Sequence, residues 1–380
     1  MRPTEAVVDL GAISRNVERL VAHAAPAAVC AITKADAYGH GAVAVSRAAL
    51  DAGAAMVGVA LVEEGIELRR SGVRAPILLL SEPRPNEMFE VVSAGLTPTV
   101  YTPDGIAALV AAVGFEPGHE PLDVHLGVDT GMNRVGFRSG APFHDVDAGA
   151  VGDVIRAIDD KPGLRLGGIW THLAVADEPD RSETDEQLAR FRSVLGKIRP
   201  ELDDGVIVHA ANSAGMLLRS DALFDMVRVG IATYGVAPSD RLEGIVELEP
   251  AMSLRTELGL VKKVHAGEGV SYGLRHTFPT DTMLGTIPIG YADGLRRDSF
   301  ARGAEVLVGG ERRPIVGTVT MDQTMIDLGA GSTARSGDEV VLIGRQGDAE
   351  ITVADRAVQL DTIPYEIVCD IGRRVRRRYV

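Results

Sequence analysis

Lys34 follows a short apolar run, Ala28-Val29-Cys30-Ala31-Ile32-Thr33, and opens onto Ala35-Asp36-Ala37-Tyr38-Gly39-His40-Gly41. A lysine in a loop is usually a solvated charge. One at the end of a buried strand is partly desolvated, which lowers its proton affinity and suits Schiff-base chemistry with an aldehyde cofactor. Four further polar clusters follow apolar runs in the same way: Asp129-Thr130-Gly131-Met132-Asn133-Arg134, Thr171-His172, Asn212-Ser213 and Arg228-Val229-Gly230-Ile231. The Ser213 hydroxyl with the backbone N–H groups of Gly230 and Ile231 could supply donors to a phosphate. A lysine electrophile site beside a phosphate site points to pyridoxal phosphate. Four of the seven tyrosines, Tyr38, Tyr272, Tyr291 and Tyr365, stand next to Gly or Pro in polar contexts. Any one of them could be a core residue; together they suggest a polar-tipped aromatic site.

The elements that must position these groups can be read from periodicity. Ile13, Val17, Leu20 and Val21 recur at helical spacing, and the run Ala28 to Thr33 reads as a buried strand. Strand-like runs follow at Met56 to Ala60, Ile77 to Leu80, Thr97 to Val100, Leu122 to Leu126, Leu166 to Trp170, Val206 to Ala210 and Met226 to Val229. Between most of them lie amphipathic stretches of helix length, such as Pro103 to Val113 and Ser182 to Leu195. Strict alternation implies a parallel sheet, and eight units in about 230 residues suggest an α/β fold with an N-terminal (β/α)8 barrel; an open doubly wound sheet is the rival. In such a barrel the C-terminal ends of the strands carry the active site, which is where every polar cluster above falls.

After Tyr234 the texture changes to β-rich runs separated by Gly and charged turns: Met252 to Val264, Met283 to Ile289, Glu305 to Val308, Ile315 to Val319, Met325 to Leu328 and Glu339 to Ile343. The expected division is residues 1–240 as the cofactor-binding barrel and 241–380 as a mostly β domain, with helix or mixed structure returning from Val353. At 380 residues and 46% hydrophobic the chain can bury a large core, but one larger than a single domain usually holds.

A formal net charge of −14 argues against nucleic acid or an anionic membrane as a partner and in favour of a small molecule. The basic run Arg373, Arg374, Arg376, Arg377 and Arg378 is read as a solvated helix end, where cations suit the helix dipole. Cys30 and Cys369 alone imply neither a disulfide framework nor a metal-ligand cluster. The first residues, MRPTEAVVDLGAIS, lack an apolar core of signal-peptide length, so a cytoplasmic protein is expected.

The stretch Ala31-Ile32-Thr33-Lys34-Ala35-Asp36-Ala37-Tyr38-Gly39-His40-Gly41 resembles the cofactor-lysine signature of the alanine racemases, and the other clusters match that family in order and spacing over nearly the whole chain. The resemblance implies a pyridoxal phosphate enzyme interconverting L- and D-alanine for peptidoglycan, with a barrel followed by a β domain. It further implies a head-to-tail homodimer whose sites borrow residues from the partner's second domain. Lys34 matches the lysine that carries the cofactor and acts as one base, and Tyr272 the opposing base from the other subunit. Two acid–base groups on opposite faces are what racemisation needs. Tyr38, Ser213, Gly230, Ile231 and Tyr365 match phosphate-site positions, with Asn212 beside them. Arg228 matches the arginine facing the pyridine nitrogen, which it keeps unprotonated, weakening the electron sink and disfavouring transamination. His172 matches a residue linking Arg228 to Tyr272. Arg134 matches one near the cofactor phenolate and substrate carboxylate; Tyr291 and Met321 match partner positions lining the substrate entrance, with Asp322 in support.

Many relatives carry a carbamylated lysine where this chain has Gly127, so Arg134 is expected to be held by another anion, such as chloride, or by polar neighbours. Thr320, where cysteine is common, is a minor departure. The loss at Gly127 motivates a broader amino-acid racemase as the close alternative. A barrel-type decarboxylase and a non-catalytic pyridoxal phosphate-binding protein are the remaining rivals; the latter lacks a second domain.

Overall fold

The computed structural model describes residues 2–114, 121–138 and 147–380. Apolar runs bounded by turns become eight parallel strands: Ala28–Ile32, Met56–Val59, Ile77–Leu79, Thr99–Val100, Leu122–Gly127, Leu164–Trp170, Ile207–His209 and Met226–Val229. Each pairs in parallel with its sequence neighbour, the first pairs with the eighth, and the gap between third and fourth is bridged at Thr97. There the Thr97 N–H donates to the Ile77 carbonyl, and the Leu79 N–H to the Thr97 carbonyl, both at 2.9 Å. The expected barrel is therefore what the chain builds. Its helices start where local chemistry allows: Thr102 caps Pro103–Val113 by accepting from the Gly105 N–H, and Asp147 caps Ala148–Asp159 by accepting from Gly149 and Ala150. The layer between the strands and the surrounding helices is aliphatic, drawn from Val124, Leu126, Ile169, Val227 and Val229 with their helical partners.

The chain divides into two compact units, the barrel unit comprising Ile13–Ala37 and Ala42–Glu249. The other gathers Pro250–Val380, the N-terminal segment through Ala12 and the short loop Tyr38–Gly41. Against the expected division at 240/241, the units part at Glu249/Pro250, and two short N-terminal segments join the β-rich unit. The main sheet of that unit runs Glu311–Pro314, Glu305–Val308, Glu339–Gln346, Met252–Glu257, Glu5–Val8 and Arg376–Tyr379. A second sheet holds Leu260–Val264, Thr282–Ile287 and Thr324–Gly329 around Val264, Leu284 and Met325. Helices Val353–Leu360 and Pro364–Cys369 supply the return to helix expected after Val353.

Two readings from sequence are corrected here. Ile315 to Val319 is not a strand: Val316 still donates to Met325 at 2.9 Å, but Gly317 turns away at φ +70° to lie against Val270. The C-terminal arginines do not end a helix. Arg373 and Arg374 lie in a turn, while Arg376, Arg377 and Arg378 form an edge strand parallel to Glu5–Val8, and strand alternation sends Arg376 and Arg378 to Glu5 at 2.7 and 2.8 Å. Arg377, on the other face, donates to four carbonyls, those of Gly39, Ile371, Gly372 and Val375, at 2.6–2.8 Å. Arg377→Ala should leave those acceptors unsatisfied and lower the unfolding free energy by about 2–3 kcal/mol, read as a shift in the urea midpoint.

Candidate active site

The barrel carries its polar side chains at the C-terminal ends of the strands. Lys34, half-buried, follows the first strand and opens an unusual turn: Ala35, Asp36 and Ala37 all sit at φ +53° and Tyr38 at +52°. Consecutive L-residues in the left-handed region cost roughly 1–2 kcal/mol each. Specific bonds hold the turn. Ala37 N–H donates to the Thr33 carbonyl at 2.9 Å, Ala35 N–H to Glu64 at 2.6 Å, and Asp36 accepts from the Ala42 N–H at 2.8 Å. Glu64 also accepts from Ala60 and Leu61, so one carboxylate ties the lysine loop to the next loop of the barrel.

Arg228 lies at the centre, 3% exposed. It donates through Nη1 to His209 Nδ1 at 2.9 Å and through Nη2 to the Thr171 and Ala210 carbonyls and His172 Nδ1 at 2.8, 2.9 and 3.1 Å. Every acceptor is neutral, and burial pulls the guanidinium down to about 10. Among the described residues its Nε–H has no hydrogen-bond partner. Because a guanidinium only donates, His209 must accept at Nδ1 and carry its proton at Nε2, from which it donates to His125 Nδ1 at 2.9 Å. By the same logic His172 keeps its proton on Nε2. Burial first, then the charge of Arg228, pushes His125 down to about 3 and holds His209 and His172 well below the usual range. Arg134 and Lys34 add to the field on His172, so three cations converge on that ring.

The loop bearing Arg134 is built by the buried Asp129, which accepts from the N–H groups of Gly131 and Asn133 at 2.9 and 3.1 Å. Gln187 joins it to the next loop, donating to the His172 carbonyl at 2.8 Å and to Thr130 at 3.3 Å. Arg134 itself is exposed. Ser213 accepts from the Gly230 N–H at 2.9 Å, which brings those two expected phosphate ligands together beside Ile231, while Asn212 caps the short helix by accepting from Gly215 at 2.9 Å. A pyridoxal group fits this set: hydroxyl and amide donors for a phosphate, an amine for the aldehyde, and the Nε–H of a buried cation for a ring nitrogen.

The β-rich unit carries the tyrosines. Tyr38 is buried with its ring 6.0 Å from that of Tyr365, and burial raises its phenol well above the usual range. The loop of Tyr38 needs its glycines: a Cβ on Gly39 would meet the Val368 carbonyl oxygen at 2.4 Å, and one on Gly41 the Tyr379 hydroxyl at 1.9 Å. Tyr272 stands 71% exposed on a tight turn whose flanking Ser271 and Leu274 take φ +62° and +46°. Thr318 pins that turn by donating to the Tyr272 carbonyl at 3.1 Å. Tyr291 and Met321 are drawn together by bonds from Tyr291 and Ala292 N–H to the Thr320 and Met321 carbonyls at 3.0 and 3.1 Å. Both side chains are exposed, as is Leu274, so an apolar patch crowned by two phenols faces outward. Asp322 pairs with Arg374 at 2.6 Å.

Model matches divide along the same lines as the fold. The alanine racemase N-terminal domain matches residues 8–238 and the C-terminal domain residues 251–379. This chain belongs to the alanine racemase family. It is 43% identical to the alanine racemase of Symbiobacterium thermophilum over 380 residues, covering all of this chain and 97% of that one. The crystal structure of alanine racemase from D-cycloserine-producing Streptomyces lavendulae superposes with a TM-score of 0.92 at 38% identity, covering 100% of this chain and 97% of the other. That of alanine racemase from Bacillus anthracis with bound L-Ala-P gives 0.91 at 36%, covering 100% and 95%.

Within this alanine racemase fold, sequence reasoning overlooked four side chains: Glu64, His125, Gln187 and His209. The two histidines sit inside strands, where the signal was only a polar residue within an apolar run. Gly168 makes room for one of them, since a Cβ there would lie 2.6–2.9 Å from the His125 ring. Gly168→Ala should therefore displace the ring that receives the His209 proton and destabilise the barrel by about 1–3 kcal/mol in denaturant titrations.

Proposed function

We propose that this chain interconverts L-alanine and D-alanine with pyridoxal phosphate, in a homodimer whose sites each join one protomer's barrel to the partner's β-rich unit. The observation that carries this reading is the convergence of Lys34, Arg134, His172 and Arg228 on one barrel end, with Arg228 held by neutral acceptors only. When bound, the cofactor supplies an electron sink that acidifies the α-proton of the amino acid.

Lys34 moves that proton on one face, and the partner's Tyr272 moves it on the other. A phenol exposed on its own protomer, beside exposed Tyr291 and Met321, suits a group whose working surroundings lie in a second copy. His172 offers its Nε2–H to that phenol oxygen and so favours the phenolate as a base, while Arg228 fixes the imidazole from the other side. Arg228, able only to donate, would face the ring nitrogen of the bound cofactor and would leave it unprotonated, which would keep the electron sink weak and disfavour amino transfer. Ser213, Gly230 and Ile231 would hold the phosphate, with Asn212 shaping their loop; Tyr38 and Tyr365, at positions that match phosphate ligands in the family, would add their hydroxyls. Arg134 receives the substrate carboxylate, and the partner's Met321 and the partner's Tyr291, with the partner's Asp322 in support, narrow the approach. The product D-alanine feeds peptidoglycan.

No helix among the described residues is long and apolar enough to cross a membrane, and Cys30 and Cys369, neither of them in a disulfide, suit a reducing cytoplasm. The test uses purified protein with pyridoxal phosphate and L-alanine in deuterated water. Loss of optical rotation with α-deuterium incorporation is expected; rotation that persists refutes racemisation. Running L-serine and L-lysine alongside decides breadth, which Gly127 leaves wider if all three exchange at similar rates.

A further inference from the structure

Gly127 ends the fifth barrel strand, and the indole of Trp170 from the sixth strand lies over it. A Cβ built on Gly127 would stand 3.5 Å from Cε2 and Cζ2 of that ring and 3.3 Å from the Thr99 methyl. Any side chain longer than a methyl would have to move one of them. Trp170 is 3% exposed, donates from Nε1 to Thr99 Oγ1 at 3.2 Å, and stacks on His209 with an interplanar angle of 19°. On the same ring sits the Arg228 guanidinium, 4.7 Å from the centroid.

A cation in the barrel interior with no carboxylate among its hydrogen-bond partners needs compensation from somewhere. An aromatic face supplies it, because the ring quadrupole attracts a cation most strongly where water is excluded. Hydrogen bonds to two histidines and two carbonyls set where the guanidinium edge points; the stacked indole sets its plane. We propose that Trp170 is a positioning residue for racemisation, the aromatic platform that fixes the plane of Arg228, and that Gly127 lacks a side chain so that the indole can take that seat.

The inference rests on the role assigned to Arg228 above and makes separate demands on experiment. Trp170 is the only tryptophan in the chain, so its emission reports this site alone. In cofactor-free protein, Arg228→Met should shift or intensify that emission, as removing a cation from the ring face must. Gly127→Leu, which leaves both partners in place and pushes the indole off its seat, should shift it as well. In the holoenzyme, Trp170→Phe keeps a π face and should retain kcat within about threefold. Trp170→Leu keeps bulk without the face and should lose about tenfold in kcat at near-constant KM.

Equal losses in Trp170→Phe and Trp170→Leu, or emission indifferent to Arg228→Met, would overturn the proposal. If Arg228→Met abolishes racemisation while Trp170→Leu and Gly127→Leu do not impair it, the platform is wrong and the reading of Arg228 stands. If Arg228→Met racemises normally, that reading fails and the proposal falls with it. Emission needs only folded protein, so the Gly127→Leu and Arg228→Met spectra decide the matter even if Trp170→Leu does not fold.

Discussion

Tyr272→Phe is expected to lower kcat for alanine racemisation by about 10²–10⁴-fold, the usual contribution of a positioned acid–base group, with little change in fold or cofactor content. The phenol is the most exposed of the large tyrosine and methionine side chains on its patch and its ring supports no core, so the loss should be chemical rather than structural. Lys34→Ala should be at least as damaging, since on the proposed reading that residue both carries the cofactor and serves the opposite face. The pair gives a sharper test than either alone. Each variant is inactive by itself, but in a mixed dimer one site combines an intact Lys34 with an intact Tyr272 while the other site lacks both. After subunit exchange of equal amounts, half the dimers are mixed, so about a quarter of the unmodified activity should return. Recovery of that size requires sites shared between protomers. If exchange is demonstrated by mass but activity stays at zero, each site is built from one chain, and the two-subunit reading is wrong.

How much of this was legible before any coordinates depended on whether the signal was local. The eight barrel strands are short apolar runs bounded by turn residues, and each announces itself within a few positions. The polar clusters at their C-terminal ends could be placed because the barrel fixes which end faces a ligand. What escaped was non-local. The strand Arg376–Tyr379 is built by pairing with Glu5–Val8, and the Glu5 partners of Arg376 and Arg378 lie 371 and 373 positions away. Nothing within the arginine run distinguishes an edge strand from a helix end. Ile315 to Val319 failed in the opposite direction: its β-branched residues satisfy local propensity, but Gly317 is needed for a close approach to Val270 that no local rule encodes.

The site shows the same division. Lys34, Arg228 and His172 were recognisable because they stand in loops or strand ends with distinctive neighbours. His125 and His209 were not, because a single polar residue in an apolar strand looks like noise until the ring opposite it is known. Trp170 was visible only as the last residue of a strand. Its meaning comes from three partners on three other strands, Gly127, His209 and Arg228, which only the closed barrel brings together.

The buried His125 and His209 and the half-buried His172 lead to the second large effect, a loss of stability in mild acid. Unfolded, each ring takes up a proton as pH falls below about 6.5. Folded, His125 resists until about 3, and His209 and His172 also titrate well below their ordinary value, because burial and the charge of Arg228 oppose a second positive group. The folded pKa values are depressed, so the unfolded state binds more protons between roughly 6.5 and 3, and acid favours unfolding throughout that window. Three such rings give a limiting slope of about 4 kcal/mol per pH unit, against a total stability of order 5–15 kcal/mol, so much of the fold's margin should vanish between pH 6 and 4. Protonation also reverses the hydrogen bonding, since His209 would present an N–H to a guanidinium that can only donate. Urea midpoints of the holoenzyme measured from pH 7 to 4 give the slope directly. His125→Asn, which still offers an acceptor to the His209 Nε2–H but cannot titrate, should reduce the slope by up to one proton, and an unchanged slope in that variant would show that carboxylates elsewhere, not the chain of rings behind Arg228, set the acid limit.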